Sequence, residues 1–186
     1  MRNLWALGKG KEMAEEERIV KAAGIVGFFT LLSRVFGLLR DIVVANFFGA
    51  TMAADAFYVA FRIPNLLRRL LAEGALSISF IPIFTEYLTH QGKAEAFKVA
   101  RITLTLMILI LLLVSALGII FSPKIIPIFA PGFSSQAEKF ALTVLLNQIM
   151  FPFIFFVGLV ALAMGILNSL NHFAAPALAP VCLNIA

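Results

Sequence analysis

The sequence predicts an all-α integral membrane protein, a polytopic helix bundle, and three observations lead there. Apolar residues make up 61% of the 186, charged residues 13%, and the mean hydropathy is +0.99. Soluble domains run nearer about 45–50% apolar and about 25% charged. The excess has to face lipid, because a chain of this size cannot bury it all. Residues 102–121 are free of charge, and residues 140–171 contain no Asp, Glu, Lys or Arg. Either run can cross about 30 Å of hydrocarbon as a helix, which takes about 20 residues. Barrel strands would be shorter and alternate in polarity, and these runs do not.

The elements follow in order. Residues 1–18 form a polar N-terminal segment. A first span covers 19–48, with Arg34, Arg40 and Asp41 inside it. Gly49-Ala50-Thr51 reads as a turn, in preference to a single span over 42–61. The second span covers 52–87 and contains Asp55, Arg62, Pro64, Arg68, Arg69 and Glu73. A polar connection broken at Gly92 leads to a third span over 98–121. Pro123, Pro127 and Pro131-Gly132 suggest a helix-breaking link. The fourth span covers 137–170, and Pro152 should kink it by removing an internal hydrogen bond. The fifth begins at 176 and is cut off at 186. The reading is therefore four complete transmembrane helices plus the start of a fifth, as expected of a piece of a longer protein. No cleavable signal peptide is expected, because Arg34 directly follows the apolar stretch 22–33 with no small-residue cleavage site. Met13 opens an alternative start to Met1.

Formal net charge is +5. The bland reading is topology rather than nucleic acid, since Lys and Arg collect at cytoplasmic ends. The first 21 residues hold Arg2, Lys9, Lys11, Arg18 and Lys21, and the connection between spans 2 and 3 holds Lys93, Lys98 and Arg101. The opposite side holds only Lys124 and Lys139. Eight against two puts the N-terminus in the cytoplasm.

The charges set back from the ends of spans 1 and 2 are the candidate chemistry. They are Arg34, Arg40, Arg62, Arg68 and Arg69 with Asp41, Asp55 and Glu73. Facing lipid, these eight would cost on the order of 20 kcal/mol at about 2.5–3.5 each. They must face one another, a wet cavity or the membrane surface. Arg34 with Asp41 and Asp55 with Arg62 are seven apart, on one helix face. Arg69 and Glu73 are four apart and can pair directly. Five cations against three anions leave a surplus that suits an anionic ligand, and arginine binds phosphate bidentately. Arg62, Arg68 and Arg69 equally suit snorkelling to an interface, and Asp55 suits a helix N-terminus.

Other residues are blander. His90 and His172 have no metal-ligand spacing, Cys182 has no intrachain partner, and no nucleophile–base pair or phosphate-cradling glycine loop occurs. Neither catalysis nor a cofactor is expected.

Ser33-Arg34-Val35-Phe36-Gly37-Leu38-Leu39-Arg40-Asp41 resembles the first-helix motif of the MviN/MurJ family of lipid II flippases, and Phe48-Gly49-Ala50 with Ala54-Asp55-Ala56-Phe57 continues it. Arg62-Ile63-Pro64-Asn65-Leu66-Leu67-Arg68-Arg69 and Ala72-Glu73-Gly74-Ala75 resemble its second-helix signature. Ala130-Pro131-Gly132-Phe133, Pro176-Ala177-Leu178-Ala179-Pro180 and Leu183-Asn184 resemble later landmarks. The resemblance implies the N-terminal part of a two-lobe transporter of the MOP exporter superfamily, with residues 19–186 in the first lobe. It implies alternating access around a cationic cavity that binds lipid II, the undecaprenyl-diphosphate-linked disaccharide-pentapeptide. It implies a bacterial cytoplasmic membrane location and a second lobe not contained in these residues. It assigns Arg34, Arg40, Asp41, Asp55 and Arg68 to substrate binding, and Ser33 and Glu73 to a gate. Three rivals stay open at this point: an exporter of another lipid-linked glycan, a non-transporting scaffold for cell-wall precursors, and a membrane enzyme acting on lipid diphosphates.

Overall fold

A computed structural model describes the backbone of residues 2–185; the side chains of residues 1–15, 18–19, 71–73 and 75–77 lie outside the described set. Among the described residues there are helices and turns and no strands. Seven α-helices run in order: α1 (Arg2–Phe48), α2 (Met52–Arg68), α3 (Ile81–His90), α4 (Lys93–Phe129), α5 (Ala137–Met150), α6 (Pro152–Ser169) and α7 (Ala174–Ile185). A π-helical stretch, Arg69–Phe80, joins α2 to α3, and a short 3-10 turn, Pro131–Ser135, joins α4 to α5. Among the described residues, three segments are long and apolar enough to cross a membrane: Val20–Phe48, Lys93–Phe129 and Ala137–Ser169. The all-α, polytopic membrane class is thereby met. The stretch read as a second span is helical throughout, but it changes winding at Arg69 and is not one of these three.

The chain divides into two units, Met1–Val44 with Asn171–Ala186, and Ala45–Leu170. In the first, α1 presents Phe28, Leu31, Leu38 and Ile42 outward, all more than half exposed. That is the expected dress of a helix whose solvent is lipid.

The second unit carries the packed core. Gly49, at φ +54°, turns the chain after α1, and Thr51 caps α2 by accepting a hydrogen bond from the Ala54 N–H at 3.3 Å. One apolar cluster gathers Phe80, Phe84, Ala96, Ala100 and Leu162; another gathers Ile63, Leu111, Ile126, Phe151 and Ile154. Small residues let the helices approach, as they do where lipid supplies no hydrophobic drive. A methyl group on Gly118 would overlap the Phe151 ring, and one on Gly158 would lie 2.6 Å from Leu111 Cδ1.

The prolines show how this core is wired. The expectation of a link after residue 121 is corrected: α4 continues through Pro123 and Pro127 to Phe129. Proline has no N–H, so Pro123 cannot bond the carbonyl four residues back, that of Ile119. Gln148 Nε2 on α5 donates to that carbonyl instead, at 3.1 Å. Pro64 inside α2 frees the carbonyl of Ala60 in the same way, and Asn147 Nδ2, also on α5, donates to it at 2.9 Å. Ser122 Oγ lies within hydrogen-bonding distance of both Asn147 Oδ1, at 2.9 Å, and the Gly118 carbonyl, at 2.7 Å. Two adjacent amides of α5 thus satisfy the backbone faults of two neighbouring helices, the repair that lets helices with internal proline persist in a membrane. At Pro152 the helix is interrupted and, among the described residues, not repaired by a side chain: α5 ends at Met150, Phe151 keeps helical dihedrals (φ −57°, ψ −40°), and α6 begins at the proline.

This pairing predicts a coupled effect. Gln148→Leu leaves the Ile119 carbonyl unmet and should destabilise by about 1–2 kcal/mol, the cost of an orphaned buried acceptor. In a Pro123→Ala background the new N–H can bond Ile119, so Gln148→Leu should cost much less. Unfolding in mixed detergent micelles of the four proteins of this double-mutant cycle reads the difference; equal costs in both backgrounds would contradict the assignment.

Candidate functional site

In the first unit the chemistry lies along one stripe of α1. Ser33, Gly37 and Arg40 stand at positions i, i+4 and i+7, which share a helix face. Asn184, near the end of α7, lies over the gap left by Gly37; a Cβ there would sit 3.4 Å from Asn184 Nδ2. Asn184 Nδ2 donates to the Ser33 carbonyl at 2.8 Å and to Ser33 Oγ at 3.0 Å. Asn184 Oδ1 accepts from Arg40 Nη1 at 3.2 Å. On its other side, Arg40 donates from Nε and Nη2 to a single oxygen, Asp41 Oδ1, at 3.2 and 2.9 Å. Three of the five guanidinium N–H groups are thus engaged, and five less three leaves two without a partner among the described residues. Arg34 is exposed on the same helix.

In the second unit Asp55 lies in the first turn of α2, where the helix dipole favours a carboxylate. Its Oδ2 is 2.6 Å from Lys139 Nζ on α5. The Lys139 ammonium also sits 4.1 Å from the centroid of the Phe133 ring, in the 3-10 turn. The lysine side chain is 11% exposed and the aspartate 58%, so the cation is the buried member and relies on both partners. Arg68, half-buried, donates from Nε to Asn65 Oδ1 at 3.0 Å. Arg62 and Arg69 are exposed. The Glu73 side chain, and with it the expected Arg69–Glu73 pair and half of the expected gate, lies outside the described residues.

The two shared faces do not become contacts. Asp41 pairs with its neighbour Arg40 and not with Arg34, and Asp55 pairs with Lys139 and not with Arg62. Residues seven apart share a face but are separated by about 10 Å of helix rise. That is too far for a direct carboxylate–guanidinium contact. A long arginine can instead bend back on the residue beside it, and a lysine can reach across from another helix. Sequence reasoning missed Asn184 and Lys139 as participants. Asn184 carried a usable signal, a carboxamide in an otherwise apolar membrane helix, where polar groups need partners. Lys139 carried none beyond its charge.

The arginine end of the first cluster carries the charge and donors that an anion would use. Arg40 is held from two sides and keeps two N–H groups without a partner among the described residues, and guanidinium N–H groups are strong donors to phosphate.

Known proteins bear on this arrangement. Residues 44–186 match the family described as "Lipid II flippase MurJ". The chain is similar to a "Probable lipid II flippase MurJ" of Buchnera aphidicola subsp. Schizaphis graminum, 48% identical over 168 residues, covering 90% of this chain and 33% of that protein. It is 45% identical over 168 residues to a "Lipid II flippase MurJ" of Burkholderia cenocepacia, with 90% and 33% of the two chains covered. A "Probable lipid II flippase MurJ" of Vibrio cholerae is 42% identical over 183 residues, with 94% and 34% covered. The chain spans about a third of the length of the curated relatives it matches.

The Asp55–Lys139 pair should be measurable as a coupling between α2 and α5. Asp55→Asn and Lys139→Met, alone and together, should show an interaction of about 0.5–1 kcal/mol in unfolding experiments, the upper part of the range for partly exposed pairs. Strictly additive costs would mean the two side chains do not act together.

Proposed function

The chain belongs to the lipid II flippase MurJ family, and from that premise we propose that it serves transbilayer movement of lipid II across the bacterial cytoplasmic membrane. The observation that carries the reading is Arg40. An arginine in the middle of an apolar helix is costly, yet here it is held by Asp41 and Asn184 with part of its fork still open. A diphosphate offers the oxygens such a fork binds.

In this reading Arg34 and Arg40 hold the diphosphate-sugar head group, and Arg68, in the other unit, is a further head-group ligand by family resemblance alone. Asp41 and Asp55 limit the positive charge that the empty site would otherwise carry, Asp41 on Arg40 and Asp55 on Lys139. Ser33 and Glu73 serve a gate. The polyprenyl tail stays in the hydrocarbon, where it needs no partner. Movement follows the alternating-access logic of two-lobe transporters, with the site near the midplane. The N-terminus faces the cytoplasm, on the side where Lys and Arg of the connections collect. No covalent bond is made or broken, so the chemistry asked of these residues is binding and release. Any energy input acts by changing the relative stability of the two access states.

The test uses a chimera in which the aligned 168 residues of this chain replace their counterparts in the Burkholderia cenocepacia relative. The chimera should support growth of cells depleted of their own flippase. Arg40→Gln, which keeps a polar side chain but removes the charge, should abolish that support at unchanged membrane levels. Normal growth with Arg40→Gln would overturn the assignment of the charge to head-group binding.

A further inference from the structure

Asn184 is the residue on which the first cluster converges, and it lies on the helix most remote in sequence from the arginine it touches. We propose that Asn184 is a positioning residue for Arg40, fixing the guanidinium in the orientation that receives the anionic head group. The inference rests on the reading of Arg40 as a head-group ligand and adds to it a residue that reading does not contain.

A carboxamide has two N–H donors and one carbonyl acceptor. In Asn184 the two donors go to Ser33, one to its backbone carbonyl and one to its hydroxyl, and the acceptor takes Arg40 Nη1. The bonds to Ser33 fix the plane of the amide against α1. With the plane fixed, Oδ1 is turned along the stripe toward Arg40, seven residues and about two turns from Ser33. Gly37, midway between them, has no side chain to block the amide.

Asp41 alone would hold Arg40 at one edge, through Nε and Nη2. A guanidinium gripped at one edge can still swing about the bonds of its chain, and its side chain is 46% exposed. The contact at Nη1 adds a second point of attachment on the other terminal nitrogen and removes that swing. An arginine ordered before its ligand arrives loses less freedom on binding. A role as simple glue between α1 and α7 would be met by the Ser33 bonds alone; the third bond is what points to the arginine.

The experiment uses the 186-residue chain in lipid nanodiscs. Binding of lipid II is titrated for the unaltered protein, Asn184→Leu, Arg40→Gln and the double variant. Asn184→Leu should weaken binding about tenfold, the worth of one immobilised side chain, and should add nothing once Arg40 is Gln. The same factor in both backgrounds would mean that Asn184 acts on the fold and not through Arg40, and would overturn the proposal. A second readout needs no ligand. With arginine labelled at 15Nε, the Arg40 resonance, identified by its loss in Arg40→Lys, should exchange slowly with water in the unaltered protein and quickly in Asn184→Leu. Equal exchange would also overturn it. If no protein in the series binds lipid II, the head-group reading fails and the exchange result alone decides whether Asn184 positions Arg40. Asn184→Ala, which adds no bulk, carries the same comparisons if Asn184→Leu does not fold.

Discussion

Two carbonyls, those of Ala60 and Ile119, lose their helical donors to Pro64 and Pro123, and both are met by neighbouring amides of α5, Asn147 and Gln148. The constraint behind this pairing is that hydrocarbon offers no water to an unpaired polar group. A soluble helix with an internal proline can turn the freed carbonyl toward solvent. A membrane helix has to find a side chain for it, and the side chain has to come from a fixed neighbour. Repairing the faults therefore ties α2 and α4 to α5 more specifically than apolar packing could. Leucine against leucine is no better than leucine against lipid, whereas a carbonyl without a donor costs about 1–3 kcal/mol. The glycines that let α4 and α6 close on Phe151 and Leu111 work within an arrangement that these polar contacts set.

The same constraint governs the charges. Each cluster has its cation held from more than one side: Arg40 by Asp41 and Asn184, Lys139 by Asp55 and the Phe133 ring. The difference between the two lies in what is left over. Lys139 is nearly buried and both its partners lie in the same unit, which suits a structural latch between α2 and α5. Arg40 is half exposed and keeps unused donors, which suits a ligand. The functional reading follows from that contrast as much as from family membership. An apolar helix tolerates an arginine when partners such as Asp41 and Asn184 offset the insertion cost, and in the proposed function a diphosphate head group would add to them.

Much of this was legible in the sequence. Uniformly apolar runs over 102–121 and 140–171 are long enough to announce helices, and the Ser33–Asp41 motif placed Arg40 and Asp41 in the candidate site before any geometry was known. What was not legible depends on partners distant in sequence. Pro123 reads locally as a break, because nothing near it reveals that Gln148 will meet the Ile119 carbonyl. Asp55 reads as facing Arg62 along its own helix, because the reach of Lys139 from 84 residues away has no local trace. Spacing along one helix identifies a shared face; it does not identify a contact, since two turns of rise separate the residues. Asn184 is the intermediate case. Its polarity in α7 signals a partner, and only the fold shows that the partner is the arginine stripe of α1.

The most direct test of the central claim, that the charges within the apolar helices form a head-group site and not a set of interface anchors, is native mass spectrometry of the 186-residue chain released from detergent with and without lipid II. A stoichiometric lipid II adduct that disappears in Arg40→Gln is the predicted result. An adduct of equal intensity in Arg40→Gln, or equal binding of a neutral polyprenol lacking the diphosphate, would show that the arginine charge does not hold the head group and would contradict the account.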